Sequence, residues 1–242
     1  MATDKRQIQR AMRVQKFVVL LLLPVFTVLS LYPITSAAKK KPACVKTLGK
    51  CPAQGCGGDP KLNTFKNQMD SPAASDVEEW TIADIIELNE TTPKTWKSGA
   101  DRGPLEAIGE GKAVSVKGYL IHAKLTGTPE SCNCFLQGAA NNDFHLNIVP
   151  TRAGTMKQSL VIEMSPRSRN QQWKLPTMQA LAGTKTYVRV TGWLMFDSAH
   201  AHFQSMPRAT AWEVHPVTKF EVCQGTKKQC DAGNNWKALE DL

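Results

Sequence analysis

TYVRVTGWLMFDSAHAHFQSMPRATAWEVHPVTKFEVC, residues 186–223, reads as two long strands joined by a loop, and this reading decides the fold. Val188, Val190, Gly192, Leu194 and Phe196 alternate with Tyr187, Arg189, Thr191, Trp193 and Met195, which gives the first strand one apolar face. In the second, Trp212 and Val214 alternate with Ala211, Glu213 and His215, and Pro216 predicts a bend or a strand edge before Phe220 and Val222 resume. The loop DSAHAHFQSMPR, 197–208, is too long for a tight hairpin and is a candidate functional loop. Three of the five histidines, His200, His202 and His215, fall in this stretch.

Three more strands precede it. AVSVKGYLIHAKL (113–125) is long, with Gly118 at a position where a bulge or bend lets one strand serve two sides of a barrel. DFHLNIVP (143–150) places Phe144, Leu146 and Ile148 on one face and Asp143, His145 and Asn147 on the other. QSLVIEMSP (158–166) turns Leu160, Ile162 and Met164 inward and Val161 and Glu163 outward, and a helical stretch over 176–182 follows. Three strands, a helix and two strands predict a mainly β chain: an OB-fold-like five-stranded barrel over 113–223.

Residues 1–38 have a different character. Lys5, Arg6, Arg10, Arg13 and Lys16 precede an apolar run from Phe17, and Ser36-Ala37-Ala38 has the small residues that a signal peptidase reads. The pattern predicts a signal peptide cleaved after Ala38, hence a periplasmic or secreted protein. The competing reading is an uncleaved anchor over 17–34, because Lys39, Lys40 and Lys41 follow directly, although Pro24 and Pro33 interrupt it. Membrane contact is expected only through that segment. Residues 1–38 contribute +4 of the net +9, and the remaining +5 over some 200 residues describes an ordinary solvated surface, which disfavours nucleic acid as partner.

Seven cysteines beyond residue 38 agree with an oxidising compartment. Cys44, Cys51, Cys56, Cys132, Cys134 and Cys223 are the disulfide candidates, with Cys230, in a polar tail (224–242), expected to be the odd free thiol. Cys132 and Cys134 lie too close for an easy mutual bridge and should reach different partners. The segment 39–112 has little periodicity and reads as an irregular, disulfide-containing arm. One short helix is expected in it, Thr81 to Asn89, with Thr81 capping, Asp84 completing a capping box, and an Ile82, Ile85, Ile86 stripe.

On the pieces CPAQGCGGDPKLNTFKN, ESCNC, DFHLNIV, VTGWLMFDSAH and RATAWEVHPVTKFEVC the chain resembles a family of exported bacterial OB-fold-like proteins without an assigned activity, a barrel behind a cysteine-bearing arm. The resemblance implies a fold and a compartment; it transfers no catalytic residue.

OB barrels bind oligomers on the outer face of strands two and three and on neighbouring loops. Here that face would carry Asp143, His145, Asn147 and Glu163, and OB strand order brings Glu213 and His215 beside Glu163. With Arg189, these are the candidate ligand-binding residues, joined by the 197–208 loop. No aromatic faces outward on those strands, so a small ligand, glycan or protein is the expected partner. The bland reading of His215 is a structural hydrogen bond to the barrel seam. No cofactor is predicted. A divalent metal on His145, His200, His202 and His215 is the rival, and with it a nuclease-like metal-dependent hydrolase using Asp143, Glu163, Arg189, Asp197 and Arg208. The order of those residues does not match the staphylococcal nuclease motif, and no P-loop, G-x-G-x-x-G, G-x-S-x-G or C-x-x-C-H is present. The sequence therefore reads as a binding or structural module before it reads as an enzyme.

Overall fold

The computed structural model describes residues 41–242, so the expected signal or anchor lies outside the described residues. One sheet contains β1 (Glu78–Trp80), β2 (Ala113–Leu125), β3 (Phe144–Val149), β4 (Leu160–Met164), β5 (Tyr187–Phe196), β6 (Trp212–Cys223) and β7 (Trp236–Ala238). Around it lie α1 (Pro60–Lys66), α2 (Ile82–Thr91), α3 (Gly103–Glu106), α4 (Leu175–Gly183) and α5 (Lys227–Asp231). The strand order β2-β3-β4-β6-β5 closes through a β2–β5 pairing. β4 and β6 run parallel, with Val161 opposite Glu213 and Ile162 opposite Val214. A closed five-stranded barrel with this order, and with α4 between its third and fourth strands, is an OB-fold.

The apolar alternation builds the interior. Leu146 and Ile148 of β3, Leu160 and Ile162 of β4, Val190 and Leu194 of β5, and Trp212 and Val214 of β6 are fully buried in one cluster. The Trp212 indole donates to Thr92 Oγ1 at 2.8 Å, which satisfies its one polar atom. β2 serves two sides: Ala113–Tyr119 pairs with β5, and Tyr119–Leu125 pairs with β3. The change of partner falls at Gly118–Tyr119, where a Cβ on Gly118 would stand 3.0 Å from Ile82 Cδ1. α2 seals that end of the barrel with Ile82 and Ile85, and its Thr81–Asp84 capping box is formed.

Gly192 permits the close approach of β5 to β6, where the register slips opposite Pro216. A Cβ there would lie 2.4 Å from the Pro216 carbonyl oxygen and 2.8 Å from Val214 Cγ1. Because backbone rather than a pliable side chain blocks it, Gly192→Ala is expected to cost about 1–3 kcal/mol in urea unfolding.

Several expectations need correction. The described residues of the segment 39–112 hold three α-helices and a strand instead of one helix. α1 starts where Asp59 caps Lys61 N and Leu62 N ahead of Pro60, and β1 extends the sheet parallel to β2. The tail is structured too: Thr226 and Gln229 form a capping box on α5, and β7 pairs with β6. That turn returns Cys230 to Cys223, so Cys230 is bonded and is not the free thiol. The other bridges are Cys44–Cys56 and Cys51–Cys134, and the free cysteine is Cys132, which is buried.

Candidate functional site

The outer surface of β3, β4 and β6 is where the predicted polar residues assemble, and it is not open. Asp143 (1 % exposed), Asn147 (1 %), Glu163 (4 %), Glu213 (0 %) and His215 (1 %) are all buried, because the N-terminal arm lies over them. α1 packs against β6. Asn67 of the arm donates to the Cys132 carbonyl at 2.9 Å, and Arg167, just past β4, donates to the carbonyls of Cys51 and Cys132. Cys51–Cys134 makes the attachment covalent. The binding face expected on strands two and three is therefore not open to solvent at Asp143, Asn147 and Glu163.

His215 stands at the centre. Its Nε2 is 3.5 Å from Asp143 Oδ2 and its Nδ1 is 3.0 Å from Glu163 Oε2. Neither contact is aligned as a hydrogen bond, and both ring nitrogens and both of those oxygens lack a hydrogen-bond partner. The seam contact expected of His215 thus takes the form of close charge pairing with Glu163 of the neighbouring β4 in place of an aligned hydrogen bond. The outer oxygens of the two carboxylates are occupied: Asn133 Nδ2 donates to Asp143 Oδ1 at 3.0 Å, and His145 Nδ1 lies 2.7 Å from Glu163 Oε1. Asn133 is aimed by the C-x-C turn, whose Cys134 and Phe135 both adopt positive φ, 53° and 57°. Such backbone persists only where the surroundings impose it, here through the Cys51–Cys134 bridge.

The environment separates the two acids. Burial pushes the Asp143 carboxyl well up, reinforced by Glu130 and Glu163. Burial also acts upward on Glu163, but Lys66, His145 and His215 outweigh it and hold that carboxyl well below the usual range. For His215 burial opposes the charged form, yet Glu163, Glu213 and Asp143 carry its pKa up to about 10.

A second cluster adjoins the first. Arg208 Nη2 donates to Glu213 Oε1 at 2.6 Å, and Asp197 is hydrogen-bonded to His200 Nδ1. The Asp197 contact raises the His200 pKa against the opposing effect of burial. Glu213 Oε2, 3.9 Å from His215 Nδ1, links the two clusters.

Two predicted residues lie elsewhere. Arg189 forms a two-pronged pair with Glu221 at 2.7 and 2.8 Å and stacks on Trp236. It faces outward from the stretch of β5 paired with the far half of β6, so it cannot join Asp143 or Glu163, and the nuclease-like set is not one site. A groove of about 480 Å³ opens there, lined by Glu79, Arg189, Thr191, Lys219 and Glu221, but its main ion pair is already satisfied. His202 is exposed on the loop and borders the Trp96–Phe196 edge, so the four-histidine metal set is also incorrect. Asn147 is present but committed, donating to Ser159 Oγ at 2.9 Å.

Sequence reasoning missed Lys66, Glu130 and Asn133. Lys66 Nζ, on the buried side of α1, donates to Glu130 Oε1 at 3.1 Å. Burial disfavours its charge, but Glu130, Asp197 and Glu163 hold its pKa above the ordinary value. The signal for it was the Asp59-Pro60 helix start, which fixes Leu62 and Lys66 on one face at i, i+4.

A cleft of about 320 Å³ reaches this layer from solvent, with Asp59, Lys66, Glu130, Ser131, Cys132 and Ser198 in its wall. Asp59 sets its rim by accepting from Gly99 N at 2.7 Å as well as from α1. Burial raises the Asp59 pKa, but the donors of Gly99, Leu62 and Lys61 more than offset this and leave it lowered. A lowered carboxyl stabilises above its unfolded pKa, about 3.9, and that contribution disappears as pH falls through the folded value. Asp59→Ala is therefore expected to cost about 0.5–2 kcal/mol at pH 7, and thermal midpoints should show the gap to wild type closing toward pH 3.

No family model matches the chain, and no curated protein matches it. Among solved structures the chain is similar to yeast Stn1 and Ten1, with a TM-score of 0.37, 14 % identity, and coverage of 68 % of this chain and 72 % of that one. The OB-fold assignment rests on the strand order and the parallel β4–β6 pair.

Proposed function

We propose that the protein is an exported OB-fold binding module that takes a small polar ligand in the cleft bounded by α1, residues 128–132 and Ser198–Ala199. The observation that supports this reading is the burial of the face on which OB barrels lay oligomers, leaving the 320 Å³ cleft as the route to its polar groups. The cleft wall presents hydroxyls and one Lys–Glu pair in which Lys66 is buried and Glu130 half-buried, and it suits a compact ligand that carries both a donor and an acceptor. The hydrolase alternative needs a scissile bond beside His215, whose side chain is fully buried. Export is supported by the basic start, the apolar run and the Ser36-Ala37-Ala38 pattern.

Oxidised protein titrated with a labelled dT20 oligonucleotide and with a hexasaccharide is expected to show no saturable binding up to about 100 μM, well beyond the range of specific OB-fold complexes. A thermal-shift screen of polar metabolites should give hits that Ser131→Trp abolishes. Saturable oligomer binding that survives Ser131→Trp would contradict the proposal.

A further inference from the structure

We infer that Asp143, Glu163 and His215 bind one divalent transition-metal ion of the zinc or manganese kind. The inference goes beyond the cleft ligand proposed above. These residues each offer a ligand atom, all within 4.8 Å of one another, and all three are buried. Two similar groups adjoin it, and their partners distinguish them. In Asp197, His200 and Glu213 a permanent cation, Arg208, already sits on Glu213 Oε1 and His200 on Asp197, and in Glu130, Cys132 and Asp143 the Lys66 ammonium sits on Glu130 Oε1.

In the inferred site the free atoms lie close together. Asp143 Oδ2, Glu163 Oε2 and both nitrogens of His215 have no hydrogen-bond partner. Each permanent cation nearby is committed elsewhere: Lys66 to Glu130, Arg208 to Glu213, Arg167 to the Cys51 and Cys132 carbonyls, Arg169 to the Asn142 carbonyl. Unpaired buried polar groups cost free energy, and two carboxylate oxygens with one imidazole nitrogen, one atom from each residue, form a three-atom donor set that an ion would satisfy. Asn133 and His145 hold the other oxygens of the two carboxylates, as outer-shell partners orient metal ligands. Two carboxylates and one imidazole favour a borderline ion over calcium, which takes six to eight oxygens. The cleft supplies the way in, since its wall includes Glu130 and Cys132, both grouped with Asp143.

The test uses the full mature chain with its disulfides intact, stripped with a chelator and then titrated by calorimetry with ZnCl2, MnCl2 and CaCl2. One equivalent of Zn2+ or Mn2+ is expected, with Ca2+ much weaker. Glu163→Gln and His215→Gln should each weaken binding at least ~100-fold, Asn133→Ala, a positioning change, by about 10–100-fold, and His202→Ala not at all. Pulsed EPR of wild type loaded with one Mn2+ covers the case in which the ligand variants do not fold, and should show a directly coordinated imidazole nitrogen. No stoichiometric uptake, Ca2+ preferred over Zn2+ and Mn2+, loss of binding in His202→Ala, or no coordinated nitrogen would each overturn the inference.

Discussion

Arg102→Met is expected to lower the unfolding free energy by about 3–5 kcal/mol, since it leaves a buried carboxylate without its partner. Arg102 and Glu110 are both buried, and they meet in two charge-assisted bonds, from Nε at 2.6 Å and from Nη2. Glu110 also accepts from Phe196 N at 2.9 Å, while Arg102 Nη2 donates to Phe196 O at 2.7 Å. The pair thus ties the arm to the end of β5, where the 197–208 loop begins, and the guanidinium lies between the rings of Phe65 and Trp96 at 5.2 and 5.7 Å. Removing the cation strands the Glu110 carboxylate, whose side chain is fully buried. The double variant Arg102→Met/Glu110→Gln, which removes the charge and keeps an acceptor for Phe196 N, should recover most of the loss. A single variant costing under about 1 kcal/mol, the value of an exposed pair, would contradict this account of the clamp.

Cys51→Ser/Cys134→Ser carries the second large effect. The bridge closes a loop over a sequence separation of 83, and losing a native bridge of that span is expected to cost about 2–5 kcal/mol. The local consequence should be as telling as the global one. Without the bridge nothing covalent holds the C-x-C turn in its positive-φ conformation, so Asn133 loses its aim at Asp143 and the arm loosens over β6. Urea unfolding reads the stability, and Cys132, buried in the native protein, should become reactive toward thiol reagents. An unchanged midpoint with Cys132 still protected would mean that packing alone holds the arm.

The barrel was legible because its signal is local. Strict alternation in β3, β4 and β5 reports which side chains face inward, and the Thr81–Asp84 box marks a helix start within four residues. The convergence of Glu163, Glu213 and His215 also followed, through the parallel β4–β6 register. The covering of that face was not legible. Nothing in Asp143, His145 or Glu163 distinguishes an outward side chain in water from one beneath another layer; only the placement of α1, Arg167 and the 128–134 turn decides it. The same holds for Cys132 and Cys230, whose fates depend on a turn through Asn133 and on the fold-back of α5, both non-local in effect.

The central claim is that a disulfide-held arm closes the barrel's outer face, and thiol counting on the oxidised protein tests it most directly. Ellman's reagent should find no reactive thiol in the native state and one after denaturation without reductant, because the chain has seven cysteines and three bridges. Peptide mapping should place the label on Cys132, whose thiol is held protonated well above its usual pKa by burial and by Asp143 and Glu130. A thiol that reacts promptly in the native protein, or a label on Cys230, would show that the face is open or the tail unbridged, and would contradict the account.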